Sequence, residues 1–249
     1  MATTLYAIPA SHPCATVELA LRLKEVPYER IDLPPLVSRV VLRRRFGRGT
    51  VPAIVFEDGA HVVGSRAIVR ELEARAPAPR LLPPEGDERR APVERAEEWG
   101  DEVLQPLVRR LIWAALDRAP AAMPSYGAGA RLPVPALAAR LASPLVARAA
   151  RRLNHAGDVD VRADLAHLGS HLWRVEEWMG EGTLGGEGPN AADLQIGASL
   201  RLMLTIEDIA ARIDTRPAAA LATRWFPDFP GHEPAGALPP AWLHGIAGV

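Results

Sequence analysis

One stretch, residues 50–71, limits most strongly what this chain can fold into. Its sequence, TVPAIVFEDGAHVVGSRAIVRE, contains two short β-branched runs separated by Asp58-Gly59, a dipeptide typical of tight hairpin turns. We therefore predict a β-hairpin with strands at residues 53–57 and 60–63. Pro52 opens the first strand, where a proline removes no ladder hydrogen bond. A helix follows directly, and Ser65 is its predicted N-cap.

The residues before this stretch predict a strand, a helix and a second strand. The two strands are residues 3–8 and 28–32, and the helix begins near Cys14 and ends near Pro27. A helix between two strands requires a parallel pair with a right-handed crossover. Together with the hairpin, and a short helix within residues 36–48, the predicted order is β-α-β-(α)-β-β-α, the thioredoxin-like order.

The remainder of the chain is predicted to be helical. A proline-rich segment separates the two parts, and Pro106 should kink or break the first long helix near Leu104. The predicted fold class is therefore an α/β domain followed by an all-α domain. The predicted boundaries are residues 1–78 for the first domain, 79–86 for the linker, 87–225 for the helical domain and 226–249 for an irregular tail anchored by Trp242 and Leu243.

A capping box is predicted within the helical domain. Asn190 precedes an apolar helix and Asp193 follows three residues later, which is the spacing at which each side chain bonds the other's backbone N–H. This pair should begin the helix, so we assign Asp193 a structural role.

Residues 119–157 form an unusual insert, because they contain arginines and prolines but no Asp or Glu. Two interpretations are open. Leu137, Leu141, Leu145 and Val146 fit a helical lid over a ligand pocket, whereas the arginines fit a basic amphipathic element that docks on an anionic surface. We favour the lid, because the prolines should interrupt any long helix lying on a membrane.

Composition excludes several classes of function. A net charge of -1 gives no reason to expect nucleic acid as a partner. No apolar run is long enough to span a bilayer, so we expect a cytoplasmic protein without a membrane partner. Cys14 is the single cysteine, which excludes an intrachain disulfide or a multi-cysteine zinc site. His167 and His171 are half of a metal site without a third ligand, so we predict no metal.

The hairpin stretch, V-P, strand, D-G, strand and S-R-A-I, resembles the second half of a glutathione S-transferase N-terminal domain, and the capping box resembles that of the C-terminal domain. The resemblance implies that glutathione is bound. In the family the residue before the proline pairs with the cysteinyl backbone of glutathione, and the helix-start serine holds its γ-glutamyl carboxylate. The resemblance gives these roles to Val51 and Ser65, and places Pro52 and Arg66 in the same site.

The residues Ser11-His12-Pro13-Cys14 resemble the active-site signatures of serine-type and cysteine-type family members. Ser11 then matches the catalytic position, where its hydroxyl would stabilise the glutathione thiolate by a charge-assisted hydrogen bond. Cys14 carries a rival mechanism, a mixed disulfide with glutathione that would give disulfide-reductase or thiol-lyase chemistry, although lone cysteines usually behave as small buried apolar residues. His12 is either a ligand contact or a solvent-facing loop residue.

The resemblance further implies a homodimer, a small hydrophobic electrophile as co-substrate, and a role in detoxification. The electrophile pocket should lie between the Ser11 loop and the helices of residues 88–118. The arginines within residues 36–48 are a solvated face, a cationic rim for glutathione, or both. Gly64 stands where the family usually has Glu or Gln, which leaves open a non-catalytic binding module or a thiol other than glutathione.

Overall fold

The computed structural model describes residues 2–132 and 134–247. Its N-terminal part is a four-stranded mixed sheet with strand order β2-β1-β3-β4, in which only the β1–β2 pair is parallel. This is the predicted thioredoxin-like arrangement. The elements are β1 (Thr4–Ala7), α1 (His12–Leu23), β2 (Glu29–Asp32), α2 (Val37–Phe46), β3 (Ala53–Val55), β4 (His61–Val63) and α3 (Ser65–Arg75).

The hairpin is shorter than predicted. Its last pair in register is Val55 with His61, so the strands end before the Asp58-Gly59 turn. The N–H of Phe56 donates to the Ala60 carbonyl at 2.8 Å, and Asp58 Oδ1 accepts the Ala60 N–H at 3.0 Å. The prediction of a two-residue turn is therefore wrong, because side-chain and backbone bonds close a wider loop.

Helix α3 begins at Ser65 itself, so the prediction that Ser65 is the N-cap is wrong. The N-cap is Gly64, with φ of 102°, and no side chain caps this helix. A positive φ of this size favours glycine, because a Cβ would crowd the backbone.

Eight α-helices follow in the described chain. The helix is not broken near Leu104 as one of the two predicted outcomes required, because the backbone stays helical, but its geometry changes there in a π-helical turn at Gly100–Leu104, just before Pro106. Pro106 has no N–H to donate to the preceding turn. The helices are α4 (Arg90–Trp99), α5 (Gln105–Arg118), α6 (Met123–Tyr126), α7 (Ala136–Leu153), α8 (Asp158–Gly180), α9 (Ala191–Met203), α10 (Glu207–Ile213) and α11 (Pro217–Trp225), with 3₁₀ turns at Pro120–Ala122, Pro240–Trp242 and His244–Ala247.

Helix α9 lies at the centre of the molecule and packs against α1, α4, α5 and α11. Thr16 Oγ1 of α1 donates to the Leu194 carbonyl of α9 at 3.1 Å. One hydrophobic core includes residues from both parts of the chain, such as Leu21 and Leu200. The division at residues 79–86 stays a prediction.

The capping box at the start of α9 is confirmed. The Asn190 side chain accepts the Asp193 N–H at 3.1 Å, and Asp193 Oδ2 accepts the Asn190 N–H at 3.0 Å. Asp193 Oδ1 also accepts the Gly185 N–H at 2.8 Å. Since Asp193 is fully buried, its carboxylate ties the preceding loop to the helix.

Lys24, the single lysine of the chain, binds the segment between the two parts to α1. Its side chain is fully buried, and Nζ lies 2.7 Å from Glu73 Oε2. Nζ also donates to the carbonyls of Ala76 and Pro79. The end of α3 and the linker are thereby held against the end of α1.

The insert and the tail differ in how they pack. The tail is irregular apart from its two 3₁₀ turns, and Leu243 is buried as predicted, while Trp242 stacks on Arg118 with 4.6 Å from the guanidinium carbon to the ring centre. In the insert, Leu137, Leu141 and Leu145 face solvent. The prediction that these leucines form a lid is wrong, because they cover no pocket.

Two further sequence-based expectations concern this part of the chain. Helix α7 runs through Pro144, so this proline does not break it. Pro133, another of the predicted interruptions, lies outside the described residues. Within residues 2–132 and 134–247, none of the helices combines the length and apolar character needed to cross a bilayer.

Candidate functional site

Ser11 is the N-cap residue of α1 and lies in the wall of an open cleft of about 660 Å³. Its side chain forms no capping hydrogen bond, so the hydroxyl is not used by the helix. The residues opposite come from β2, from the insert loop at 128–131 and from the tail at 226–230. None belongs to the helices of residues 88–118, so this cleft is not the pocket predicted between the Ser11 loop and those helices, which stays a prediction.

Cys14 lies one turn into α1 and is only 2% exposed. Burial raises the pKa of its thiol to about 12, and a hydrogen bond with the Ser11 side chain opposes this only in part. The thiol is therefore neutral near pH 7. A neutral buried thiol is a poor nucleophile, because the thiolate is the reactive form.

His12 is the first residue of α1 and is 3% exposed, so the interpretation as a solvent-facing loop residue is wrong. Neither ring nitrogen has a hydrogen-bond partner among the described residues. Burial, and then the positive charge of Arg109, holds the pKa of His12 well below its ordinary value. The imidazole is therefore neutral at physiological pH.

The Ser65 hydroxyl lies in a buried polar network that joins the two parts of the chain. Its oxygen accepts a hydrogen bond from Gln195 Nε2 at 3.0 Å and lies 3.5 Å from Gln105 Nε2. Both amides also donate to Asp101 Oδ1, at 2.8 Å from Gln195 and 3.0 Å from Gln105. Since the Ser65 oxygen acts as an acceptor here, the two amides leave its own proton unused.

Arg109 places a positive charge close to this network. Nη2 donates to Gln105 Oε1 at 2.6 Å, and no described carboxylate forms an ion pair with the guanidinium. Burial lowers the pKa of Arg109, and the charge of Asp101 opposes that effect. Burial likewise raises the pKa of Asp101. The network therefore contains two charged groups, Arg109 and Asp101, whose charges are only partly neutralised by their neighbours.

Arg66 lines a second cleft of about 620 Å³ with Val63, Gly64 and Arg48. Its guanidinium is shared between two carboxylates, with Nε 3.4 Å from Glu97 Oε2 and a similar contact to a neighbouring glutamate. Arg48 forms no ion pair with any described residue. Of the arginines in the predicted cationic rim, Arg48 is the one that reaches this cleft.

The Val51–Pro52 peptide is cis and directly precedes β3. The Pro52 carbonyl accepts the Gly64 N–H at 2.9 Å, which brings this peptide beside the start of α3. The structure thus gathers Pro52, Ser65 and Arg66 in one region. Ser11 and Cys14 lie at the other cleft, and the Gln105 amide and His12 lie between the two regions.

Sequence reasoning missed Asp101, Gln105, Arg109 and Gln195. They stand far from Ser65 in the chain, and nothing in the local pattern links them to it. One signal existed: Gln195 is an amide between the apolar residues Leu194 and Ile196 of α9, and such a residue must find a partner when it is buried. Among residues 2–132 and 134–247, no group of three or more His, Cys, Asp or Glu side chains is arranged to hold a metal ion.

Residues 5–80 match the family model of the glutathione S-transferase N-terminal domain. The whole chain is similar in structure to a glutathione S-transferase from Rhodospirillum rubrum F11, with a TM-score of 0.58 and 19% identity over 98% of this chain and 99% of that chain. No curated protein matches the chain in sequence.

Two further solved structures carry glutathione derivatives. A glutathione S-transferase from Methylobacterium radiotolerans, in complex with glutathione sulfonate, has a TM-score of 0.53 and 18% identity over 90% of each chain. A maleylacetoacetate isomerase from Anaeromyxobacter dehalogenans, with bound dicarboxyethyl glutathione, has a TM-score of 0.50 and 22% identity over 90% of this chain and 89% of that chain. At such identities the likeness shows the shared fold.

Proposed function

We propose that this chain, whose residues 5–80 match the glutathione S-transferase N-terminal domain and whose fold is similar to that of solved glutathione S-transferases, activates the thiol of glutathione for addition to a small hydrophobic electrophile. The observation that carries this proposal is the position of Ser11, an N-cap serine whose hydroxyl is free of the helix backbone and faces an open cleft. A hydroxyl there adds to the favourable electrostatics of a helix N-terminus.

Glutathione would bind in an extended form between the two clefts. Its γ-glutamyl carboxylate would accept the Ser65 proton, its cysteinyl backbone would pair with Val51 beside Pro52, and Arg66 would attract the carboxylate. An extended tripeptide is about 10 Å long, enough to join neighbouring subsites. Ser11 would then meet the sulfur, with His12 as an additional contact.

In the chemical step the glutathione thiol loses its proton to solvent, and the Ser11 hydroxyl donates a hydrogen bond to the resulting thiolate. The thiolate sulfur forms a bond to the electrophilic carbon, and the leaving group departs or the added electron pair is protonated. No covalent bond to the protein forms. Ser11 lowers the pKa of the bound thiol, because a hydrogen bond to the charged form favours it.

The rival mechanism through Cys14, disulfide exchange with glutathione, has less support. Its thiol is buried and has a raised pKa, whereas an attacking thiol needs exposure and thiolate character. The variants separate the two mechanisms. If Ser11 carries the reaction, Ser11→Ala loses activity and Cys14→Ser keeps it, and the reverse result would establish the disulfide mechanism.

A non-catalytic binding protein is a second candidate function, and Gly64 favours it. The position has no side chain to contact a γ-glutamyl group, and its φ of 102° excludes most other residues. Such a protein would bind glutathione weakly, or bind another thiol, without accelerating any addition.

Calorimetric titration with reduced glutathione tests the binding step. We expect binding in the wild type and a loss of affinity of about tenfold in Ser65→Ala, since one hydrogen bond to a carboxylate is removed. Ser38→Ala is a matched control, because Ser38 is also buried near the start of a helix but lies in α2. No binding at millimolar glutathione would reject the proposal.

The resemblance also suggests a homodimer in the cytoplasm, and we include both in the proposal. Light scattering coupled to size-exclusion chromatography measures the assembly directly. A monomer at micromolar concentration would remove the dimer from the proposal and leave the glutathione site to be tested separately.

A further inference from the structure

Helix α7 packs with its small residues inward and its large apolar residues outward. Ser143, Ala147 and Ala150 are the buried side chains of this helix, which lies against α5 and α6. Leu137, Leu141 and Leu145 are 69%, 72% and 75% exposed. Folding of the chain alone favours the opposite orientation, because burial of a leucine removes far more apolar area from water than burial of an alanine.

The exposed leucines form one continuous stripe. Residues four apart lie on nearly the same face of an α-helix, and eight residues of helix are about 12 Å long. Arg148 and Arg152 continue the stripe toward the C-terminal end of the helix. We call Leu137, Leu141, Leu145, Arg148 and Arg152 together the α7 stripe.

The charge of this region is of one sign. Residues 119–157 contain no Asp or Glu. Arg148 and Arg152 are exposed and form no ion pair with a described residue. Arg151, on another face of α7, differs from them because it is ion-paired: it contacts Asp117 at 2.8 Å and also Asp158. The arginines of the stripe are thus free to meet an anionic partner.

We propose that the α7 stripe docks on an anionic lipid surface. The leucines would enter the interface between headgroups and acyl chains, and the arginines, one to two turns further along, would meet the lipid phosphates. Three leucines give only weak attachment by themselves, and stable attachment requires a second signal, which the basic residues supply. The protein would be recruited to the membrane surface without spanning it.

Two other occupants fit this surface less well. A second copy of the chain, related by a twofold axis, would bring the arginines of the two stripes together, and like charges at an interface are unfavourable. An amphipathic peptide binds in a groove between elements, whereas α7 presents a convex ridge. A lipid surface requires no groove.

Sedimentation with vesicles tests the proposal on the full chain. We compare phosphatidylcholine vesicles with vesicles that also contain phosphatidylserine, at low and at physiological salt. The wild type should bind the anionic vesicles and release from them as salt increases, because the attraction is screened. The triple variant Leu137→Ser, Leu141→Ser, Leu145→Ser should bind at least about tenfold more weakly. Each of Arg148→Gln and Arg152→Gln should weaken binding about fivefold.

The control variant carries Val159→Ser and Trp173→Ser, which remove exposed apolar side chains outside the stripe. It should bind as the wild type does. Because all substituted residues are exposed, circular dichroism should confirm that every variant is folded. The proposal is overturned if the wild type ignores anionic vesicles at low salt, or if the triple variant binds them equally. Self-association that the triple variant loses, without vesicle binding, would assign the stripe to a second copy, and binding of polyglutamate alone would assign it to an acidic protein.

Discussion

Ser11 and Ser65 stand at the starts of two helices, α1 and α3, yet the structure gives their hydroxyls different surroundings. Ser11 precedes its helix, is partly exposed and faces an open cleft. Ser65 is the first residue of its helix, is 3% exposed and is held by amides from the helical part of the chain. The comparison teaches that one local signature can yield a hydroxyl at an open cleft, bonded to a neighbouring thiol, or a member of a buried network. Ser11 should therefore affect mainly chemistry, whereas changes around Ser65 should affect stability and binding together.

The largest effect should come from Gln195→Leu, which removes the amide shared by Ser65 and Asp101. We expect the free energy of unfolding to fall by about 3 kcal/mol, because buried hydrogen-bonding groups are left unsatisfied. Glutathione affinity should fall as well. Urea unfolding and calorimetry measure the two effects.

Ser199→Ala is the matched control for that variant. Ser199 is buried in the same helix, but its hydroxyl donates to the Gln195 backbone carbonyl and does not contact Ser65. Ser199→Ala should lower the free energy of unfolding by about 1 kcal/mol and leave glutathione binding unchanged. Equal effects of the two substitutions would show that the network around Ser65 has no special role.

Ser11→Ala should come next and should affect mainly activity. Loss of one hydrogen bond to a thiolate removes about 2 kcal/mol of stabilisation, roughly thirtyfold in kcat/KM. The pKa of bound glutathione, read from thiolate absorbance, should rise, while the free energy of unfolding falls by no more than about 1 kcal/mol, because the hydrogen bond to the Cys14 thiol is also lost. A larger loss of stability in Ser11→Ala would contradict the assignment of its hydroxyl to the cleft.

The pH dependence of stability should differ between the two regions. The pKa of His12 is lowered in the folded state, so the unfolded chain binds a proton first as pH falls below about 6.5, and stability is lost on acidification by up to about 1.4 kcal/mol per pH unit. The pKa of Asp101, beside Ser65, is raised, so its effect has the opposite sign and reduces stability as pH rises.

Urea unfolding as a function of pH checks this contrast. His12→Leu should remove most of the acid-side slope. His61→Gln is the matched control, because it also removes a histidine, but an exposed one on β4. An identical slope in wild type and His12→Leu would show that His12 is not the group responsible.

The smallest effect should come from Gly64→Ala, which tests how Ser65 is positioned. A Cβ at Gly64 would meet no atom within 4 Å. The free energy of unfolding should therefore fall only by the backbone strain of an alanine at a φ of 102°, about 1 kcal/mol. Gly188→Ala, at a glycine with equal space and no positive φ, should be nearly neutral. A Gly64→Ala variant that binds glutathione more tightly than wild type would show that the side chain, and not the backbone, limits binding here.

Local signals predicted the parts of the fold that depend on neighbouring residues. The Asn190 and Asp193 capping box and the change of helix geometry before Pro106 depend on residues a few positions apart, so the sequence contains the whole interaction. The partners of Ser65 are Gln105 and Gln195, which only the packing of α3 against the helical part brings together. No spacing rule contains that information.

Helix α7 shows a different limit. Its leucines predict an amphipathic helix correctly, but periodicity identifies a face without saying which side of the helix is buried. Here Ala147 and Ala150 face inward, since α5 approaches closely, and the leucines face outward. The position of the cleft at Ser11 was missed for a similar reason, because the insert and the tail reach it from distant parts of the chain.

The buried ammonium of Lys24 has a practical consequence. Since the chain has one lysine, and its Nζ is enclosed by Glu73 and the carbonyls of Ala76 and Pro79, an amine-reactive reagent does not reach this side chain while the linker stays in place. Modification of Lys24 then requires the linker to leave α1. The rate of acylation of Lys24 therefore reports how often the two parts of the protein separate. The measurement needs no label introduced by mutation.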